Sequence, residues 1–236
     1  VKLNPLLKSL AVLSLLTAVF ATVASCPVQR NADLVTDALS VAVAYPATNS
    51  VEMMASAVRI QVTIKSTIIY TDRNGDIHEA PAQNEGWMGS GVVYDKTDRS
   101  KGPVRSRILS ANHVLETPAV GSVIGDPARL FGAKRIESVD IKLQTADGRM
   151  CNVKVLALAT SDTHDVATAE ADCDAGRVAE LGTAEPVMGQ RVFICGFPLG
   201  VFLPMLTEGY VAGWMDGYLL TSAPAYGGNS GGPVFH

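Results

Sequence analysis

The chain of 236 residues carries 19 Lys+Arg against 23 Asp+Glu, a formal net charge of -4 at pH 7. No block of like charge runs through it, which argues against a nucleic-acid binder that works by neutralising phosphates. At 18% charged and 47% hydrophobic it is not a disordered chain, and its length suits one sizeable domain or two small barrels sharing an interface.

Residues 1–26 come first. Lys2 and Lys8 precede an apolar stretch over residues 10–24, and small residues follow; that order is the order of a secretory signal. The apolar stretch is short of the ~20 residues needed to span a bilayer. The close, Val23-Ala24-Ser25-Cys26, resembles a bacterial lipoprotein box, in which the cysteine receives a lipid and becomes the new N-terminus. The alternative is an ordinary signal cleaved nearby, with Cys26 a bystander thiol. The lipoprotein reading makes the protein exported, periplasmic or extracellular, and lipid-anchored to a bacterial membrane through Cys26. Residues 27–55 hold few aromatics and a Pro-Ala-Thr-Asn-Ser stretch, which reads as a tether.

Strand signals then begin. Val58, Ile60, Val62 and Ile64 alternate with Arg59, Gln61 and Thr63, the period-two pattern of a half-buried strand. Arg73-Asn74-Gly75-Asp76 and Asp147-Gly148 mark turns. Further strands are expected at residues 91–94, 107–109, 139–145, 150–158, 165–171, 191–195, 210–215 and 218–221. The 21 Gly and 12 Pro are scattered between them as punctuation, and no amphipathic helix of three turns is evident, so the expected fold is all-β, of sandwich or barrel type. The segments 150–158 and 165–171 form a hairpin turning at Ser161-Asp162-Thr163. Antiparallel pairing about residue 162 sets Cys151 opposite Cys173, and export supplies the oxidising compartment in which they would form a disulfide. Cys195 is left as a buried thiol.

The strongest chemical signal is Gly227-Gly228-Asn229-Ser230-Gly231-Gly232-Pro233. Glycine costs backbone entropy where it is merely structural, whereas a nucleophilic serine needs flanking amides that converge on an oxyanion with no Cβ in the way. No Lys follows, so it is not a phosphate loop. A serine needs a base, and the histidines are His78, His113, His164 and His236. His113 ends an apolar strand in Ser110-Ala111-Asn112-His113-Val114; His78 lies in a polar turn, His164 at the hairpin tip and His236 at the last residue. The base needs an acid to fix its tautomer, and Asp165 leads Asp165-Val166-Ala167 at a strand start, facing inward.

The order His, Asp, Ser, in Ser-Ala-Asn-His-Val, Asp-Val-Ala and Gly-Asn-Ser-Gly-Gly-Pro, resembles the chymotrypsin-like serine proteases, and among them the HtrA/Deg type. Gly89-Ser90-Gly91-Val92-Val93, Gly196-Phe197-Pro198-Leu199-Gly200 and Thr207-Glu208-Gly209-Tyr210-Val211 add to the likeness, which covers roughly residues 55–236. The resemblance implies a two-barrel fold, with a first β-barrel over residues 56–178 carrying His113 and Asp165 and a second over 179–236 carrying Ser230. It implies a serine endopeptidase acting through an acyl-enzyme. Ser230 is the nucleophile, His113 the base, Asp165 its orienter, and the Gly228 and Ser230 amides form the oxyanion hole. It also places Pro224 at the base of the specificity pocket, with Ala225 and Tyr226 beside it and no acid to pair a Lys or Arg.

Two features depart from the pattern. Asn229 stands where animal digestive relatives carry Asp, which disfavours activation by N-terminal cleavage. The sequence stops six residues after Ser230, so either it is truncated or the second barrel is C-terminally incomplete. A catalytically inactive, protease-like binding lipoprotein is the competing reading, and an esterase with the same triad is a third. Polypeptides are the expected substrates, with no nucleic-acid partner. No cofactor is expected, and no metal, because no Cys/His cluster has zinc spacing.

Overall fold

The computed structural model describes residues 50–236 except 98, 129–131, 160–163 and 183–184. The expected signal, Cys26, most of the tether and the turn at 161–163 lie outside the described residues.

A seven-stranded antiparallel sheet has the order β1-β2-β3-β7-β6-β5-β4, and β1 also pairs with β5. That extra pairing closes six strands into a barrel. Its members are β1 (Ala57–Thr71), β2 (Ile77–Lys96), β3 (Ser106–Ser110), β5 (Ala133–Gln144), β6 (Met150–Leu158) and β7 (Ala167–Ala171); β4 (Val123–Gly125) hangs on β5 outside the closure. Ile60 lies opposite Gly89 on one neighbour and Leu143 on the other. The alternation read from the sequence sets the interior: Val58, Ile60, Val62 and Ile64 are all buried, packed with Val93, Ile108 and Leu143.

The second sheet is four-stranded, in the order β10-β9-β8-β11, made of β8 (Arg191–Gly196), β9 (Met205–Met215), β10 (Tyr218–Thr221) and β11 (Val234–Phe235). Val192, Ile194, Val211, Leu219 and Val234 form its own core. A third apolar cluster joins the two sheets: Ala57 and Val92 from the barrel meet Cys195, Phe197 and Phe235 from the second sheet.

Four expectations are corrected. Residues 50–55, placed at the end of a tether, belong to a helix, α1 (Ser50–Ser56). Met53 drives that placement, being buried in the cluster between the sheets. Arg59, on the polar face of β1, is also buried, because the second half of the chain covers that face; its guanidinium donates to Gln144 Oε1 at 2.8 Å and lies over the Phe202 ring at 4.9 Å. The strand expected at 91–94 is the end of the 20-residue β2. The strand expected from 165 starts at Ala167. The hairpin register holds from Val153↔Ala171 to Val155↔Ala169, then shifts at a bulge to Ala157↔Thr168. Cys151 and Cys173 are joined in a disulfide with Cα atoms 6.0 Å apart.

Candidate active site

His113 sits on α2 (Asn112–Leu115), a single turn directly after β3. Val114 and Leu115 drive into the barrel core, which turns His113 outward, and Trp87 Nε1 donates to the Val114 carbonyl at 2.9 Å. β3 pairs with β7 so that Ser110 faces Ala167. Two residues beyond each partner, in opposite chain directions, lie Asn112 and Asp165, so the strand register alone brings Asp165 beside the helix. Its carboxylate takes the His113 backbone N–H at 2.8 Å through Oδ1 and bonds the His113 ring at Nδ1 through Oδ2. A carboxylate only accepts, so Nδ1 carries the proton and Nε2 is left as the acceptor. Asp165 precedes its strand and is one-third exposed on its side chain, not enclosed as its sequence setting suggests.

The other histidines are elsewhere. His78 pairs with Asp72 at 3.0 Å in the β1–β2 turn, Gln190 Nε2 lies 2.6 Å from His236 Nδ1, and the His164 side chain is at the surface.

Ser230 lies in the loop between β10 and β11, half-buried. Its carbonyl accepts from Ser90 N–H on β2 at 2.7 Å. A Cβ on Gly231 would stand 2.3 Å from Ser110 Oγ and 2.6 Å from Ala111 N, so the loop runs against the residues that lead into His113. A Cβ on Gly89 would likewise sit between Val114 and the Ser230 carbonyl. The serine and histidine segments are thus brought together. Among the described residues Ser230 Oγ makes no hydrogen bond, so the Ser230–His113 bond is not formed in this conformation.

The amides around the serine are set by their carbonyls. The Gly227 carbonyl accepts from Leu199 N–H at 2.7 Å and the Asn229 carbonyl from Gly232 N–H at 2.8 Å. A peptide unit is planar and trans, so fixing its C=O directs its N–H the opposite way. The N–H groups of Gly228 and Ser230 belong to those two peptides, and among the described residues neither donates to an acceptor. Gly228 has φ +102, and a Cβ there would meet the Phe197 carbonyl at 2.5 Å, so no other residue fits. Asn229 is buried with its Oδ1 unpartnered, beside Gly196.

Pro224 is exposed, with its carbonyl accepting from Thr207 Oγ1 at 2.7 Å; Ala225 packs on the second sheet's core and Tyr226 is 46% exposed. They form an open apolar shelf, where the resemblance implies the floor of a pocket; no described strand covers it. One cluster of potential metal ligands, Cys151, Cys173 and Asp172, has both sulfurs joined to each other, leaving no thiolate to bind a metal. Burial pushes the Cys195 thiol up to about 12, which keeps it protonated behind the serine loop. Sequence reasoning missed Trp87 and Leu199. Leu199 has φ +54, and the Pro-Leu-Gly turn around it was the available signal.

A closed β-barrel beside a second sheet, with a serine loop and a His–Asp pair where the two meet, defines an all-β chain of chymotrypsin-like architecture. Residues 89–236 match the family model described as trypsin-like peptidase domain, and the chain belongs to that family of serine proteases. It is similar to the serine endoprotease from Yersinia pestis, known from a crystal structure, at 18% identity and a TM-score of 0.47, over 78% of this chain and 50% of that one. The chain therefore spans half the length of that protein. No curated protein sequence matches it.

Proposed function

We propose that the protein is an exported serine endopeptidase that hydrolyses peptide bonds through an acyl-enzyme. One observation carries the reading: Asp165 holds His113 by both backbone and ring, next to a serine flanked by two acceptor-free amides. On this reading Ser230 Oγ attacks the substrate carbonyl while His113 Nε2 takes its proton. The Gly228 and Ser230 amides stabilise the oxyanion, and the imidazolium, steadied by Asp165, returns the proton to the leaving amine. Water then repeats the sequence on the acyl-enzyme. Export is supported by the N-terminal pattern and by the Cys151–Cys173 disulfide, a bond characteristic of oxidising compartments; lipid attachment at Cys26 belongs to the same reading.

The unformed Ser230–His113 bond favours the second reading, an inactive binding lipoprotein. Catalytic hydrogen bonds often tighten only when substrate is bound, so the endopeptidase reading stands first. A fluorophosphonate decides between them. It is expected to label Ser230, and Ser230→Ala or His113→Ala is expected to lower turnover of an unfolded protein substrate by on the order of 10⁴–10⁶. An unlabelled wild-type chain, or hydrolysis by Ser230→Ala, would sink the endopeptidase.

A further inference from the structure

We propose that Ser90 is a positioning residue for the oxyanion hole, an inference that rests on the endopeptidase reading. Ser90 is fully buried, and four of its bonds converge on the nucleophile loop and its supports. Its Oγ donates to the Gly228 carbonyl at 2.7 Å and accepts from Phe197 N–H at 2.9 Å. Its N–H donates to the Ser230 carbonyl at 2.7 Å, and its own carbonyl accepts from Ser110 Oγ at 2.7 Å.

Gly228 is the weak point of the hole. Without a Cβ, both of its dihedrals are soft, so the peptides on either side of it can turn over, and turning the one before it withdraws an oxyanion donor. Three bonds oppose that. Leu199 N–H holds the carbonyl before Gly228, Ser90 Oγ holds the carbonyl of Gly228 itself, and the N–H at the other end of that second peptide, on Asn229, donates to the Tyr226 carbonyl at 3.0 Å. The Ser90 oxygen also takes the Phe197 amide, two residues from Leu199, so a single hydroxyl ties the oxyanion loop to the segment that supplies its Leu199 anchor. Bulk water does not reach the hydroxyl, because the side chain is shut off from solvent. The hydroxyl's one proton and one of its lone pairs are both committed. Removing it orphans the Phe197 donor and frees the Gly228 carbonyl together.

Ser106 provides the matched control. It is equally buried, and its Oγ also donates to a carbonyl, Cys173 at 3.0 Å, and accepts from an amide, Ala175 at 2.9 Å, but it lies at the end of β3 away from the serine. Fluorophosphonate labelling of Ser230 reads the hole directly, since the reagent's phosphoryl oxygen occupies the oxyanion position. In the full chain, Ser90→Ala is expected to label about 10- to 100-fold more slowly, the scale of a misplaced catalytic group. Its kcat on labelled casein should fall in parallel while KM stays within about threefold. Ser106→Ala should lose comparable thermal stability yet label at close to the wild-type rate. Should Ser90→Ala fail to fold, Ser90→Cys, of similar volume and weaker donor strength, carries the test with a slowing of about tenfold or less expected. A Ser90 variant that labels at the wild-type rate, or a Ser106→Ala as slow as Ser90→Ala, overturns the inference and leaves the endopeptidase standing. A wild-type chain that does not label removes both.

Discussion

At Asp165 one carboxylate holds His113 twice, at the backbone amide and at ring Nδ1. The pair is open to water on one side, with side chains 43% and 33% exposed, so as an ion pair it adds little to stability. Its value lies in orientation and tautomer. In Asp165→Asn the amide oxygen can keep the backbone bond, but the amide nitrogen then faces Nδ1 and donates to it. That forces the proton onto Nε2, the atom that must accept from Ser230. The expected outcome is a melting temperature close to wild type and a kcat lower by about 10⁴, checked by steady-state hydrolysis beside a thermal melt. Activity within tenfold of wild type would show that Asp165 does not set the tautomer.

Among the elements, the β6–β7 hairpin carries Asp165 near its tip and the disulfide at its open end, with the two cysteines 22 positions apart in the sequence. Closing a loop of that size stabilises by about 3 kcal/mol on chain-entropy grounds. The bond is remote from Asp165 along both strands, and six strand pairings close the barrel without it. Reduction is therefore expected to lower the melting temperature by several degrees while leaving activity at room temperature nearly unchanged; melts and assays with and without reductant check this, and a complete loss of activity in the still-folded reduced protein would contradict it. This hairpin was legible in the sequence because its open end, from Val153↔Ala171 to Val155↔Ala169, keeps the same centre as the two cysteines; the bulge beyond Val155 has no such marker. β1 was legible because one face is apolar at every position from Val58 to Ile64. The stretch of β2 over residues 77–90 was not, since charged residues, Pro81 and Gly86 break any alternation there, and its strand state is imposed by pairing with β1. α2 is one turn long, too short for a helical period to register. At the site, the residue types of the triad could be read in order, but the anchor that aims the Gly228 amide comes from Leu199 and the bond that holds the Gly228 carbonyl from Ser90, both over 25 residues away in the chain, and no local pattern announces them.

Across the whole molecule, the acid response follows from where the depressed carboxylates lie. Asp72 is lowered by its bond from His78, Glu79 by Arg135, and Glu137 by Thr67 and then Arg135. Asp147 is lowered by Thr145, Asp172 by Asn152, and Asp174 by Lys96. All six belong to the strands and turns of the barrel. In the second sheet, among the described residues, Glu208 is lowered by Arg191. A group whose folded value lies below its unfolded one adds stability that is complete above the unfolded value and is lost as pH falls through the folded one. The ordinary values here are 3.8 for Asp and 4.5 for Glu, so this contribution is intact at neutral pH and drains away below about pH 4. Most of these groups are exposed, with Asp72 and Asp174 half-buried, so salt screens them, and high salt should shrink the difference between neutral and acidic melts. With six such carboxylates in the barrel and one among the described residues of the second sheet, the barrel is expected to lose the larger share of its support on acidification. The two tryptophans report on the halves separately, since Trp87 lies on β2 and Trp214 on β9. In an acid titration, a Trp214→Phe variant, which keeps the barrel's reporter, should lose its native emission at a higher pH than a Trp87→Phe variant, which keeps the second sheet's. Coincident transitions, the reverse order, or stability that rises on acidification would show that the barrel's carboxylates do not govern its acid unfolding.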